Sequence, residues 1–336
     1  MSIEHTFNHA AYEPGQSAGM YESFFLRANH PARPLAFWIR YTLLNPDGRS
    51  GDAIGETWAI WFDGERQMHT AVRQAHPIAV CEFARDRFAV RVAESTLGPG
   101  ALRGAARMED VSIAWDLTFA GDEPPLFLLP REMYAPDVPT AKSLVALPLA
   151  RFAGTVTVNA ETHRIEQWPG SQNHNWGARH TDHYAYAQVS GFDGAPDAHL
   201  EAVTARVRMG DEWTPFATSI VLRRGGRERA LNGLPLAFQA RAQIDGFAWQ
   251  FANEDDHVRI SGDMRAPRNA FVGLGYLNPP GGLKHCLNTK IARCEIEVTD
   301  KQTGRCERLV SEHGGLFEII PPDLDTRHGV EIVVRP

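Results

Sequence analysis

Residues 168–193 read WPGSQNHNWGARHTDHYAYAQVSGFD, and this segment combines a clear strand pattern with the densest set of reactive side chains in the sequence. A turn-like start at 168–171 leads to a polar cluster at 173–177 and then to a predicted strand at 182–189. Successive side chains of a strand point to opposite faces, so His183, Ala185, Ala187 and Val189 would share one face, which is small and apolar and suited to packing. The other face would carry His180, Asp182, Tyr184, Tyr186 and Gln188. Such a polar and aromatic face suits the lining of a ligand pocket, the alternative being that it lies in solvent.

Similar strand patterns extend outward from this segment along the whole chain. Short runs rich in aromatic and β-branched residues are separated by turns containing Gly, Pro, Asn and Asp, which is typical of an all-β sandwich or barrel. Six of the 22 Pro fall within residues 121–148, which indicates an ordered, extended connector between two β domains. The predicted divisions are an N-terminal arm (1–20), a first β domain (21–120), the connector (121–148) and a second β domain (149–336).

Composition excludes several classes of function. The chain has 336 residues, with 34 Lys and Arg against 41 Asp and Glu, so its net charge is −7. That balance argues against nucleic acid as a partner, because a phosphate backbone requires a basic surface. The sequence shows neither a secretory signal nor an apolar run long enough to span a membrane, and its four Cys form no CxxC pair. A cytoplasmic protein with free thiols is therefore predicted.

His174 and Asp182 are the best candidates for an acid–base pair. A His titrates near neutral pH, and a neighbouring carboxylate can fix its tautomer or share its proton. Asn173 and Asn175 could position a water or hold an oxygen, and Arg179 could neutralise a carboxylate. The structural alternative is a turn whose polar side chains satisfy local backbone groups.

Metal and cofactor sites are weaker alternatives. His174, His180 and His183 lie close in sequence, but His180 and His183 would face opposite sides of a strand, and no HExxH motif is present. The chain also has no P-loop, no GxSxG elbow and no complete dinucleotide fingerprint. The sequence therefore predicts neither a metal nor a cofactor.

The chain resembles the hydroxyneurosporene synthase (carotenoid 1,2-hydratase) and AttH-like family. The matching segments are YESFF at 21–25, FWIRY at 37–41, LP at 147–148, FAG at 152–154, WPG at 168–170, HNWG at 174–177 with His180, and CLNTK at 286–290. The resemblance implies two lipocalin-like antiparallel β-barrels side by side, at 21–120 and 149–336, with an apolar ligand pocket. It also implies relatives that are hydratases, cyclases and pericyclase-type enzymes acting on terpenoid or polyketide-like molecules.

Together these observations favour a cofactor-independent hydratase, lyase or isomerase acting on a mainly hydrophobic small molecule. His174 and Asp182 are the predicted catalytic residues. The predicted substrate-binding residues are Asn173, Asn175, Trp176, Arg179, His180, Tyr184, Tyr186 and Gln188. A carrier with the same pocket and no chemistry is the main alternative, and a structural or interaction module is a third. The sequence leaves open whether the chain forms a homo-oligomer.

Overall fold

The computed structural model describes residues 3–135, 139–322, 324 and 327–335. The elements up to residue 177 are α1 (Ile3–Thr6), β1 (Met20–Asn29), β2 (Leu35–Asn45), β3 (Ile54–Asp63), β4 (Met68–Pro77), β5 (Cys81–Phe83), β6 (Val90–Val92), β7 (Ser95–Gly98), β8 (Ala101–Met108), β9 (Val111–Ala120), β10 (Leu126–Phe127), β11 (Ala141–Val158) and β12 (Glu161–Gly177), with 3₁₀ turns at Ser50–Asp52, Ile78–Val80 and Arg131–Tyr134.

The second half is built in the same way. Its elements are β13 (His183–Phe192), β14 (Ala195–Arg206), β15 (Arg208–Met209), β16 (Glu212–Trp213), β17 (Ala217–Arg224), β18 (Arg227–Leu231), α2 (Leu234–Gln239), β19 (Arg241–Asp245), β20 (Ala248–Glu254), β21 (Val258–Arg265), β22 (Val272–Leu277), β23 (Leu283–Asp300), β24 (Cys306–Ile320) and β25 (Ile332–Val334), with a 3₁₀ turn at Arg268–Ala270. Among the described residues, no helix is long and apolar enough to cross a membrane.

The strands form two lipocalin-like antiparallel barrels side by side, as the family resemblance implies. The first sheet has the order β4-β3-β2-β1-β12-β11-β9-β8-β7-β6-β5, and β10 pairs with β11. It curls until β4 meets β8, where the Arg107 N–H donates to Gln74 Oε1 at 3.1 Å. The second sheet has the order β18-β17-β14-β13-β24-β23-β21-β20-β19, and β22 and β25 extend it beside β23. It curls so that Asn253 Nδ2 on β20 donates to the backbone oxygens of Thr218 and Leu231 on the opposite strands.

The change from one sheet to the other lies later in the chain than the sequence predicts. Strands β11 and β12 begin within or after the predicted connector, yet both belong to the first sheet, where β12 pairs with β1 and β11 pairs with β9. The chain passes to the second sheet only between Gly177 and His183. The Pro-rich stretch misleads because Pro148 lies inside β11, beside a residue of positive φ, Leu149, where the register with β12 shifts.

Each barrel is filled by its own side chains, and a third apolar cluster lies between the barrels. Alternation along β2 sends Phe37, Ile39 and Tyr41 into the first core, while Trp38 belongs to the cluster between the barrels. On β13, Ala185, Ala187 and Val189 enter the second core, which confirms the packing face that the sequence predicts. The polar face of β13 therefore lies outside the second barrel, toward the first.

Candidate active site between the barrels

A cavity of about 550 Å³ lies between the two sheets, within the size range of small-molecule sites. Tyr21, Phe25 and Trp38 contribute from β1 and β2 of the first barrel, and Tyr184 and Tyr186 contribute from β13 of the second. Two residues of the polar face of β13, Tyr184 and Tyr186, thus line a pocket, although the pocket is formed between the barrels rather than inside one. Apolar side chains from the connector and from α2 form a further part of its wall: Leu128, Leu129, Met133, Leu234, Ala237 and Phe238.

Polar groups converge at one end of this cavity. The members of this polar end are Tyr21, Arg40, His180, Tyr184, Tyr276 and Glu318. The His180 ring lies between two aromatic rings, with centroid distances of 4.0 Å to Tyr21 and 5.5 Å to Tyr276. Burial, reinforced by the positive charge of Arg40, lowers the pKa of His180 to about 3. The His180 ring is therefore neutral at physiological pH.

The hydroxyl of Tyr184 is a free donor within the described chain. No hydrogen bond of its side chain to described residues is formed, and burial raises the pKa of Tyr184 well above its usual value, with Cys286 and Glu318 adding to the effect. Its proton is consequently retained at all physiological pH values.

Glu318 is the carboxylate of the polar end. Its Oε1 accepts hydrogen bonds from Asn288 Nδ2 at 2.7 Å and from Lys290 Nζ at 2.9 Å. Lys290 is fully buried, and burial lowers its pKa, while the neighbouring Glu318 opposes that change. Oε2 of Glu318 accepts no hydrogen bond from the described residues. One carboxylate oxygen is thus held in place, and the other is available to a ligand.

A buried hydrogen-bond network joins the two barrels beside the cavity. Tyr186 donates to Glu201 Oε1 at 2.5 Å, and Gln188 Nε2 donates to Glu201 Oε2 at 2.9 Å. Gln188 also donates to Asn173 Oδ1 at 2.7 Å and accepts from Arg27 Nε at 2.9 Å. Burial raises the pKa of Glu201 to about 7. Asn173 and Gln188, predicted to bind substrate, are thus engaged in linking the barrels.

His174 lies away from the cavity, under the N-terminal arm. Its Nδ1 is 2.7 Å from the carbonyl oxygen of Phe7, and its Nε2 is 2.8 Å from Oε1 of Glu22. The ring is stacked on Phe24 with a centroid distance of 4.1 Å, and only 1% of the residue is exposed. Because the Phe7 oxygen can only accept, Nδ1 carries a proton. Both ring nitrogens are therefore occupied by the protein itself.

Asp182 has other partners than the predicted His174. Its Oδ1 accepts from Lys284 Nζ at 2.9 Å, and its Oδ2 accepts from Arg179 Nη2 at 2.5 Å and from the Arg208 N–H at 3.0 Å. Burial opposes ionisation of Asp182, but these hydrogen bonds outweigh it and lower the pKa of the carboxyl. The expected His174–Asp182 pair is not formed, because β12 ends at Gly177 and Asp182 lies at the far end of the segment that crosses to the second sheet.

The other predicted site residues divide between the cavity and its surroundings. Asn175 and His180 line the cavity, and the buried Oδ1 of Asn175 has no hydrogen-bond partner in the described chain. Trp176 packs against His174 and Tyr134 instead. The three His of the motif are dispersed, since His183 lies against Arg206, with 3.0 Å between Nδ1 and Nε.

Several residues of the polar end were not predicted as site residues from the sequence. Arg40 and Glu318 are each a single charged residue within an otherwise apolar strand run, FWIRY at 37–41 and LFEII at 316–320. A lone charge on a strand that is buried on both faces requires a partner or a function. That signal could have identified both residues, although it could not have shown that they share one cavity.

Comparison with known proteins supports the fold. No family model matches the chain. An uncharacterised protein found in two strains of Mycobacterium tuberculosis, CDC 1551 and H37Rv, is 26% identical over 286 residues, which cover 84% of this chain and 82% of the relative.

Three solved structures each superpose with a TM-score of 0.57. They are a putative AttH from Nitrosomonas europaea (11% identity, 96% of this chain and 97% of that one), kievitone hydratase from Nectria haematococca (10%, 96% and 92%) and CghA with Sch210972 (12%, 94% and 94%). At such identities the likeness concerns the fold alone, and the chain has the two-barrel fold of these AttH-like and hydratase structures.

Proposed function

We propose that the protein is a cofactor-independent acid–base enzyme, a hydratase, lyase or isomerase, which acts on a mainly hydrophobic small molecule in the cavity between the barrels. The observation that carries this proposal is the cavity itself, because an apolar wall leads to one end where Glu318, Tyr184 and His180 converge. Apolar walls bind and desolvate a substrate, and a few convergent polar groups orient it and move protons. The likeness of the fold to kievitone hydratase supports the same class of reaction.

Glu318 is the proposed general base. Its Oε1 is fixed by Lys290 and Asn288, while Oε2 is left to accept a proton from water or from a substrate carbon. In a hydration, Glu318 would take a proton from water as the water oxygen bonds to one alkene carbon. The neighbouring carbon would receive a proton from the Tyr184 hydroxyl, which lines the same cavity, and the protonated Glu318 would return a proton to Tyr184 to close the cycle. In a lyase or isomerase the same groups would remove and return a proton on carbon.

His174 and Asp182 are not assigned to the chemistry in this proposal. The ring of His174 is sealed between Phe7, Glu22 and Phe24, and the Asp182 carboxylate is held by two cations and a backbone N–H. His180 and Asn175 keep their proposed substrate-binding roles, together with Tyr184 and Tyr186, because these side chains line the cavity.

Exchange with heavy water tests the proposal even while the substrate is unidentified. The purified protein would be incubated in D₂O with isoprenoid and polyketide-like alkenes and enols, and the products analysed by mass spectrometry. An acid–base enzyme forms or breaks C–H bonds, so one compound should gain deuterium on carbon. Glu318→Gln should lower the rate of exchange by about 10²–10⁴-fold, the usual contribution of a general base.

Glu312→Gln is the matched control, because Glu312 lies on the same strand, β24, with its side chain 58% exposed in an ion pair with Arg293. This variant should retain the wild-type rate. Binding of a compound without any deuterium gain would support the carrier instead. Full exchange in Glu318→Gln would refute the assignment of the base.

A further inference from the structure

Arg40 is a buried cation whose hydrogen-bonding capacity is largely unused. Only 5% of the residue is exposed, and its Nε donates to Ser23 Oγ at 2.6 Å. Within the described residues, Nη1 and Nη2 of Arg40 donate no hydrogen bond, and no carboxylate lies within 4.0 Å of the guanidinium. A guanidinium carries five N–H donors, so most of the donors of Arg40 have no acceptor among the described residues.

The other buried cations of the described chain are satisfied. Arg27 donates to Gln188, Asn29 and Ser190 and to the carbonyl oxygen of Gly314. Arg223 is bound by Glu228 and by two backbone carbonyl oxygens, and Lys290 is bound by Glu318 and Asn288. Burial of an uncompensated charge is costly. Arg40 therefore stands apart from the cations that stabilise the fold.

The surroundings of Arg40 hold it at the polar end of the cavity. Its Cζ lies 4.8 Å from the centre of the Tyr276 ring and 5.9 Å from the rings of Trp38 and Trp58. The nearby carboxylate of Glu56 is already bound by Arg73 and by the indole N–H of Trp58. Aromatic faces favour a cation above them but supply no acceptor for its N–H groups. The neutral His180 beside Arg40 does not compete with it as a second cation.

We propose that Arg40 binds the carboxylate of the substrate, so that the preferred substrate is an apolar molecule ending in a carboxylate group. The planar guanidinium presents paired N–H donors that match two carboxylate oxygens. The apolar body would extend toward the wall formed by Leu128, Met133 and Phe238. This inference rests on the proposed function for the location of the site, and it adds the chemical class of the ligand.

Calorimetric titration with two saturated probes tests the proposal. Sodium dodecanoate at pH 8, below its micelle concentration, would be compared with methyl dodecanoate, which has a similar body and no charge. Hydrogen bonds to a charged group contribute about 1.5–3 kcal/mol, so dodecanoate should bind about 10- to 100-fold more tightly than the ester. In Arg40→Gln the two affinities should become roughly equal, and Arg40→Lys should retain part of the preference.

Arg206→Gln is the matched control, because Arg206 also lines the cavity but lies over the rings of Trp213 and Phe216, with Cζ 4.5 Å from each ring centre. This variant should keep the preference for dodecanoate. The proposal is wrong if the wild type does not prefer dodecanoate to its ester, including the case in which neither binds. It is equally wrong if the preference persists in Arg40→Gln or disappears in Arg206→Gln.

Circular dichroism tests whether each variant is folded. If Arg40→Gln is not folded, the comparison of dodecanoate with methyl dodecanoate in the wild type alone decides whether the cavity prefers a carboxylate. The saturated probes cannot react, so a failure here leaves the exchange test of the proposed function unaffected. Conversely, a strong preference for dodecanoate without any exchange would identify a carrier for carboxylates.

Discussion

Replacement of His174 by alanine is expected to destabilise the protein rather than to remove a catalytic group. In the structure the His174 ring joins the N-terminal arm to the first barrel, through the carbonyl oxygen of Phe7 on one side and Glu22 on the other. Glu22 is fully buried, and its other donors among the described residues are the N–H groups of Ala11 and Tyr12. Of these described donors, loss of the ring would leave the carboxylate only the two backbone groups, and it would open a void beside Phe24.

The magnitude follows from these contacts. A hydrogen bond to a charged group contributes about 1.5–3 kcal/mol, and a neutral one contributes about 1 kcal/mol. The stacked ring adds about 0.5–1.5 kcal/mol beyond its buried area. We therefore expect the free energy of unfolding of His174→Ala to fall by about 3–5 kcal/mol, a value typical of a large buried side chain.

Urea unfolding followed by tryptophan fluorescence measures this change. His163→Ala is the matched control, because the His163 ring is also stacked at 4.1 Å on an aromatic ring, that of Trp61, while its only ion-pair partner among the described residues is the exposed Glu161 at 3.8 Å. The control should lose no more than about 1.5 kcal/mol. A structural role for His174 is excluded if His174→Ala is as stable as the control, and loss of turnover at unchanged stability would restore His174 as a catalytic residue.

Three further predictions concern stability. The pKa of Glu201 is raised to about 7 from its usual 4.5, so this carboxyl ionises at lower pH in the unfolded state than in the folded state. The free energy of unfolding of the wild type should therefore fall as the pH rises from about 4.5 through 7. Urea titrations at pH 5 and pH 8 should show this fall in the wild type and not in Glu201→Gln. Arg27→Met should cost about 3–5 kcal/mol by the same measurement, since it removes four buried hydrogen bonds of a charged group; a loss below about 1 kcal/mol would contradict this. Gly170→Ala should lower the melting temperature, because its Cβ would lie 2.0 Å from the Arg27 carbonyl oxygen; overpacking costs about 1–3 kcal/mol, and an unchanged melting temperature would show that the strands can separate.

The fold was accessible from the sequence because β-strand periodicity is a local signal. The alternation in β13 correctly predicts that Ala185, Ala187 and Val189 pack in a core. The density of strands predicts an all-β sandwich or barrel, and the family resemblance implies the two lipocalin-like barrels. The position of the boundary between the barrels could not be predicted from the sequence, because it depends on which strand pairs with β1. That partner is β12, more than 130 residues away in sequence, and strand pairing over such distances leaves no local pattern.

Only part of the candidate site could be predicted from the sequence, for a related reason. His180, Tyr184 and Tyr186 were predicted to share a ligand-binding face, and all three line the cavity. His174 and Asp182 are close in sequence, but the chain crosses from one sheet to the other between them. Arg40 and Glu318 come from opposite ends of the chain, so only the packing of the two barrels brings them to one cavity.

The position of the cavity between the barrels has a consequence for how such a protein can diversify. Each barrel core is separate from the cluster between the barrels, so substitutions at Trp38, Tyr184 or Tyr276 reshape the cavity without disturbing either hydrophobic core. A small rotation of one barrel against the other would alter the whole cavity at once. Selection for a new substrate can thus act on the packing angle between two stable barrels, independently of the stability of either.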